Sequence, residues 1–245
     1  MSVASLAPTR QAEATRTWGD TLAAGDFVAL PAGELAGWFP PADLETFAAS
    51  WGDLPRDEMV TDGVHRERRY GRLMATRGPA GEWTFEPLPH LAFRQTAEHI
   101  PLHEGRARLF SPIRTAVLTD PVLTALIAVD LAVVAAVAPE VTRFEVGLHQ
   151  MRVIATPAEA GCPTPEGRHR DGHDFIGMHL MGRVNCAGGE SVVYRDGEPQ
   201  ARMTLTERLD SLVVSDARIT HEVTPTIADG GTGVRDMLLV DINAR

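Results

Sequence analysis

The pattern of apolar and polar positions changes character near Pro139. Upstream lies the most apolar stretch of the chain, "LTDPVLTALIAVDLAVVAAVAP" at 118–139. A run this long is beyond the usual strand length and predicts a buried helix. Asp120 is placed to cap its N-terminus and Pro121 to occupy its first turn. Asp130 interrupts the apolar run and Pro121 and Pro139 bracket it, which leaves it too short for a membrane span. "PADLETFAASWGDL" (41–54) predicts a shorter helix, "DFVALP" (26–31) a strand, and "ERRYGRLMAT" (67–76) a strand-like mixture. Residues 1–18 are polar and are expected to be loose.

Downstream the periodicity shortens. Segments 142–156, 174–184, 190–195, 201–207, 210–225 and 233–243 all carry β-branched or alternating patterns. Gly188-Gly189, Asp196-Gly197 and Gly230-Gly231 punctuate them, and Asp196-Gly197 between two short strands is a hairpin signal. Many short antiparallel strands cover their apolar faces by folding onto one another, which predicts a double-sheet jelly roll. The expected fold class is mainly β with flanking helices (α+β). Residues 1–245 are expected to form a single domain, with a helix-bearing support at 19–140 bracing a core at 142–243.

The net charge of −10 argues against a nucleic-acid or anionic-membrane surface, which needs a clustered positive field. Two cysteines, with no CxxC pair, make no disulfide framework. The opening "MSVASLAPTRQAEATRTWGD" has no apolar leader. The expected setting is therefore cytoplasmic, with no nucleic acid and no membrane partner.

Candidate chemistry concentrates at "EGRHRDGHDF", 166–175, followed by His179. A metal that activates oxygen needs few protein ligands and open positions, for which two histidines and one carboxylate on one face suffice. In an extended segment His-x-Asp points both side chains to the same side. His169-Arg170-Asp171 is the one His-x-Asp in the chain, since His173 and His179 are followed two residues on by Phe175 and Met181. The third ligand has to come from a distant strand, and "ARITHEVTP" offers His221. Arg235 opens the last strand, and a guanidinium inside a barrel needs a carboxylate partner, which a dicarboxylic cosubstrate would supply. The same ligands also suit a zinc-dependent hydrolase, with Glu222 beside His221, or a non-catalytic cupin-like metal-binding sensor.

The segments "PTPEGRHRDGHDFIGMHLM", "TLTERLDSLVVSDARITHEVTP" and "GVRDMLLVDI" resemble the bacterial iron(II)/2-oxoglutarate dioxygenases. That family includes hydroxylases of free L-isoleucine and related amino acids, with further members linked to biofilm and stress responses. The resemblance is strongest over residues 142–243. It implies Fe(II) held by His169, Asp171 and His221, with 2-oxoglutarate and O2 as cosubstrates and Arg235 anchoring the distal carboxylate of 2-oxoglutarate. Many relatives place a hydroxyl two residues after that arginine; here the position is Met237, leaving Thr224, Thr204 or Tyr194 as the companion donor. "GLHQMRV" (147–153) also looks like a family segment and puts forward His149 and Gln150. The reaction implied is hydroxylation of an aliphatic C–H bond in a small-molecule substrate, a free amino acid being the expected kind. Arg170, Arg183 and Arg152 are candidates for its carboxylate, and Asp174, Asp216 and Glu166 for its ammonium.

Overall fold

The computed structural model describes residues 3–4, 9–58, 65–95 and 107–245. Its centre is a nine-stranded sheet whose longest strands are β3 (Arg66–Arg77), β6 (Arg143–Ala155), β7 (Phe175–Val184) and β14 (Gly233–Ala244). Along the sheet run β1 (Val3–Ala4), β4 (Trp83–Pro87), β3, β6, β14, β7, β11 (Ser211–Val214) and β2 (Phe27–Leu30), with β5 (Ser111–Pro112) pairing in parallel beside β3. A smaller sheet holds β10 (Glu198–Thr204), β9 (Glu190–Arg195) and β12 (Thr220–Val223) in that order, and β8 (Cys186–Gly188) pairs with β13 (Thr226–Ala228). The result is the jelly roll read from the strand pattern. Strands β2, β3 and β4 also join the large sheet, so the stretch before residue 140 contributes strands as well as helices.

Alternation along the long strands sorts the side chains into two cores. From β6, Phe144, Val146 and Leu148 face the helices, while Met151 and Val153 face the interior between the sheets. From β14, Leu238, Val240 and Ile242 face the helices and Met237 faces inward. The helical layer consists chiefly of α1 (Thr9–Gly25), α3 (Pro41–Ala49) and α5 (Pro121–Val134), with short helices α2 (Ala32–Leu35) and α4 (Thr115–Leu118) as connectors.

Helix α5 begins as read from sequence: the Asp120 side chain accepts a hydrogen bond from the Val122 N–H at 2.8 Å, with Pro121 in the first turn. The buried Asp130 within α5 finds its partner in His179 Nε2 at 2.9 Å, and His179 Nδ1 lies 2.8 Å from Ser211 Oγ. Gly177 makes the room, because a Cβ there would stand 2.3 Å from Asp130 Oδ2. Although this Asp-His-Ser chain has the residue types of a hydrolase, it is closed off in the core and takes no part in the main cavity.

The expectation of a loose segment at 1–18 needs correction. Residues 9–25 form α1, which packs on α5 with Trp18 and Leu22 buried. Few apolar residues suffice when the partner helix is apolar all round. Residues 1–2 and 5–8 lie outside the described residues. Asp196 (φ 52°) and Gly197 (φ 89°) make the tight β9–β10 hairpin that the Asp-Gly pair predicted.

Candidate metal centre

Between the two sheets lies a cavity of about 770 Å³, including its open mouth. His169, Asp171 and His221 meet on its wall, each offering a ligand atom within 4.8 Å of the others. The backbones of His169 and His221 exchange two hydrogen bonds, His169 N to His221 O at 3.0 Å and His221 N to His169 O at 2.9 Å. This bridge brings the His-x-Asp segment onto β12, fifty residues away. Asp171 Oδ2 lies 3.3 Å from His221 Nε2, and Oδ1 lies 3.6 Å from His169 Nε2.

The surroundings orient these groups. His169 Nδ1 donates to the Gly167 carbonyl at 2.8 Å, which turns Nε2 toward Asp171. Gln95 Nε2 donates to Asp171 Oδ1 at 2.8 Å. Asp216, fully buried, accepts the backbone N–H groups of Asp171 (3.1 Å), Gly172 (2.8 Å) and His173 (3.0 Å), so one carboxylate shapes the turn that carries Asp171. Burial opposes protonation of His169, but the Asp171 carboxylate prevails and raises its pKa to about 9. The two histidines in turn hold Asp171 well below the usual carboxylate range despite its burial. Two imidazoles and one carboxylate match the donor set of a mononuclear iron(II) site that keeps positions open.

Arg235 reaches the same cavity from β14. It is buried, its Nε has no hydrogen-bond partner, and burial with Arg183 nearby pulls its pKa down to about 10. The fully buried Thr226 hydroxyl is also without a partner. Both groups approach Gly189: a Cβ on this glycine would stand 3.1 Å from Arg235 Nε and 3.4 Å from Thr226 Oγ1. With φ at +68°, Gly189 leaves this corner open.

Other expected site residues divide by strand parity. His149 lines the cavity and is fixed on both sides, by Arg68 at Nδ1 (2.9 Å) and by Asp241 at Nε2 (2.9 Å). Gln150, one residue on, points through the sheet to Ser50 Oγ at 2.8 Å, so its expected role at the cavity does not hold. Arg170 is turned away from the cavity between His169 and Asp171, and donates to the carbonyls of Asp216 and Ala217. Asp174 accepts the Ala244 N–H at 2.8 Å and ties β14 in place, again outside the cavity. Thr224 also lies off the cavity, its hydroxyl accepting the Glu190 N–H at 2.9 Å. Arg152 is paired with Asp236 at 2.7 Å, and Arg183 donates to the Gly188 carbonyl. Glu166 does line the cavity, 3.6 Å from His169 Nε2. His173 supports from behind, 3.2 Å from Asp241 Oδ2.

Sequence reasoning did not single out Arg66, Arg68 and Arg108, which are buried and line the cavity beside Phe93 and Gln95. The signal was present in "RERRY", where alternation puts Arg66, Arg68 and Tyr70 on one face of β3.

Three known proteins are similar to this chain. The chain is 29% identical over 141 residues to an L-isoleucine-4-hydroxylase of Bacillus thuringiensis, a match covering 56% of this chain and 58% of that protein. It is 27% identical over 177 residues to a 3(1)-hydroxy-L-isoleucine 4-dioxygenase of Pantoea ananatis, covering 69% of this chain and 70% of the other. The crystal structure of a bsmA homolog from Methylobium petroleophilum superposes with a TM-score of 0.80 at 29% identity, over 100% of this chain and 97% of that one. A family model described as 2OG-Fe dioxygenase matches residues 48–241, and with the two histidines and one carboxylate in place the chain belongs to that family.

Proposed function

We propose that the chain is an Fe(II)- and 2-oxoglutarate-dependent dioxygenase that hydroxylates an aliphatic C–H bond of a free amino acid or a closely similar small molecule. The convergence of His169, Asp171 and His221 on one cavity with a buried Arg235 whose Nε has no partner is the observation that carries this reading. His169, Asp171 and His221 would hold the iron. Arg235 would bind the distal carboxylate of 2-oxoglutarate, and Thr226 takes the companion hydroxyl role expected of Thr224. The bound iron and its cosubstrates supply the oxidative decarboxylation of 2-oxoglutarate to succinate and carbon dioxide together with C–H hydroxylation.

The protein's part is positioning and enclosure. Gln95 and Asp216 fix the carboxylate and turn of Asp171. Apolar side chains including Met151, Ile176, Met178 and Leu239 line the rest of the cavity and fit an aliphatic substrate. No side chain has to act as nucleophile. The amino-acid class is supported by the named activities of the two relatives. A zinc-dependent hydrolase or a metal-binding sensor would have no use for a second buried cation pocket such as Arg235 forms. We take the whole chain as one dioxygenase domain acting in the cytoplasm; among the described residues no helix is long and apolar enough to cross a membrane.

The test is aerobic incubation of the purified protein with Fe(II), 2-oxoglutarate and a panel of aliphatic L-amino acids. Succinate formation matched by a product one oxygen heavier, and lost in His221→Ala, is the expected result. Succinate-free incubations across the panel with iron bound would refute the reading.

A further inference from the structure

The cavity holds a second set of buried cations besides Arg235, two of which have no ion-pair partner among the described residues. Arg66 is paired, its Nε donating to Asp57 Oδ2 at 2.8 Å. Arg68 is not: its Nε and Nη2 donate to His149 Nδ1 at 3.2 and 2.9 Å. His149 is neutral there, since burial and the Arg68 charge lower its pKa to about 4. Arg108 donates to the Gln95 side-chain oxygen and leaves its Nε buried without a partner. Among the described residues no carboxylate comes within ion-pairing distance of Arg68 or Arg108. Both guanidinium groups lie against the rings of Phe110 and Phe93, with Arg68 4.2 Å from the Phe110 ring and Arg108 5.0 Å from that of Phe93. Burial, then the charges of Arg66 and Arg108, pull Arg68 down to about 9.

Two buried guanidiniums with no counter-ion among the described residues are costly, and a native structure keeps such a group where an anion completes it. That anion is not the distal carboxylate at Arg235. Register places Arg235 opposite Val153 and Val153 opposite Arg66, with Arg68 one same-face position further. Arg68 and Arg235 therefore stand on strands separated by β6, with backbones roughly 12 Å apart by strand spacing and rise. Gln95 joins the second set to the metal centre, since it accepts from Arg108 and donates to Asp171.

We propose that Arg68 and Arg108, the latter tied to Asp171 through Gln95, form the receptor for a carboxylate on the primary substrate. This rests on reading the cavity as a dioxygenase substrate pocket. A planar carboxylate matches the guanidinium fork, and the apolar remainder of the cavity takes the carbon chain. The receptor is pre-organised through the chain His173, Asp241, His149, Arg68. An acid is thus preferred over its amide, ester or alcohol, and the carboxylate sets which carbon faces the metal.

The test uses 3-methylbutanoate against its neutral isostere 3-methylbutanamide, probes that lack an amino group and isolate the carboxylate. Each is titrated calorimetrically into anaerobic protein saturated with Fe(II) and 2-oxoglutarate, so that the Arg235 end is filled. The acid is expected to bind roughly tenfold or more tightly than the amide, and Arg68→Gln and Arg108→Gln each to weaken the acid by a similar factor. The acid–amide comparison needs only the unmodified chain, so a variant that misfolds leaves the proposal testable. Equal affinities, no binding of the acid, or acid binding lost in Arg235→Gln alone would overturn it. Loading of 2-oxoglutarate is followed separately by absorption. A chain that fails to load yet binds the acid through Arg68 and Arg108 would refute the dioxygenase reading and leave the receptor standing.

Discussion

Asp216 offers the sharpest test of how the metal-binding turn is built. Its carboxylate accepts three backbone N–H groups in succession, from Asp171, Gly172 and His173, at 3.1, 2.8 and 3.0 Å. In Asp216→Ala those three donors, on a part-buried turn with Gly172 exposed, lose their buried acceptor. An unsatisfied buried donor costs about 1–3 kcal/mol, and with water reaching the exposed side of the turn the total loss is about 2–3 kcal/mol. Asp216→Asn keeps one acceptor oxygen and is expected to lose about half as much. The turn carries Asp171, so divalent-metal affinity should fall roughly 10–100-fold in Asp216→Ala, the range for groups that orient a metal's ligands. Urea denaturation of the metal-free protein reads the first effect, and anaerobic titration with Co(II) as a spectroscopic substitute reads the second. A loss below about 1 kcal/mol together with unchanged Co(II) affinity would refute the assignment.

Three further outcomes follow from the same contacts. His149 has a folded pKa of about 4 against 6.5 ordinarily, because burial and Arg68 disfavour its charge. The unfolded chain therefore binds the extra proton between those values, and stability should rise with pH from 4 to 6.5 by up to about 3 kcal/mol from this residue; His149→Gln should flatten that rise in denaturation curves taken across the window. In Gly189→Ala the left-handed backbone (φ +68°) and a Cβ 3.1 Å from Arg235 Nε both oppose the native arrangement, so 2-oxoglutarate affinity should drop severalfold by calorimetry, with the backbone strain alone costing about 1 kcal/mol. In Gly177→Ala the new Cβ would stand 2.3 Å from Asp130 Oδ2 and break into the buried Asp130–His179 pair, lowering stability by about 2–4 kcal/mol in urea melts without touching the cavity.

Features decided by neighbours in sequence were legible in advance. The Asp120 cap, the Asp196-Gly197 hairpin and the His169-x-Asp171 pair depend on spacing over two or three residues, and the structure contains all three. Proximity to a motif was a poorer guide. Arg170 and Asp174 lie beside the ligands in sequence, yet a one-residue step in an extended chain turns a side chain to the other face. The same step sends Gln150 to Ser50 while His149 reaches the cavity. The arginines on and beside β3 come from the half of the chain read mainly as support, and their approach to the metal centre depends on β3 pairing with β6 across some eighty positions. Thr226 was passed over because its value lies in packing: Gly189 leaves its hydroxyl open beside Arg235. The helix at 9–25 was missed because its stability comes from the apolar surface of α5, and its own sequence is mostly polar.

On the proposed reading, His169, Asp171 and His221 would hold ferrous iron in this cavity and 2-oxoglutarate would bind beside it with its distal carboxylate on Arg235. The most direct measurement of this is anaerobic absorption spectroscopy of the metal-free protein titrated with Fe(II) and then 2-oxoglutarate. A weak visible charge-transfer band should appear only when both are present, disappear in His221→Ala, and need higher 2-oxoglutarate concentrations in Arg235→Gln. Iron bound with no such band, or a band indifferent to the loss of His221, would contradict that reading.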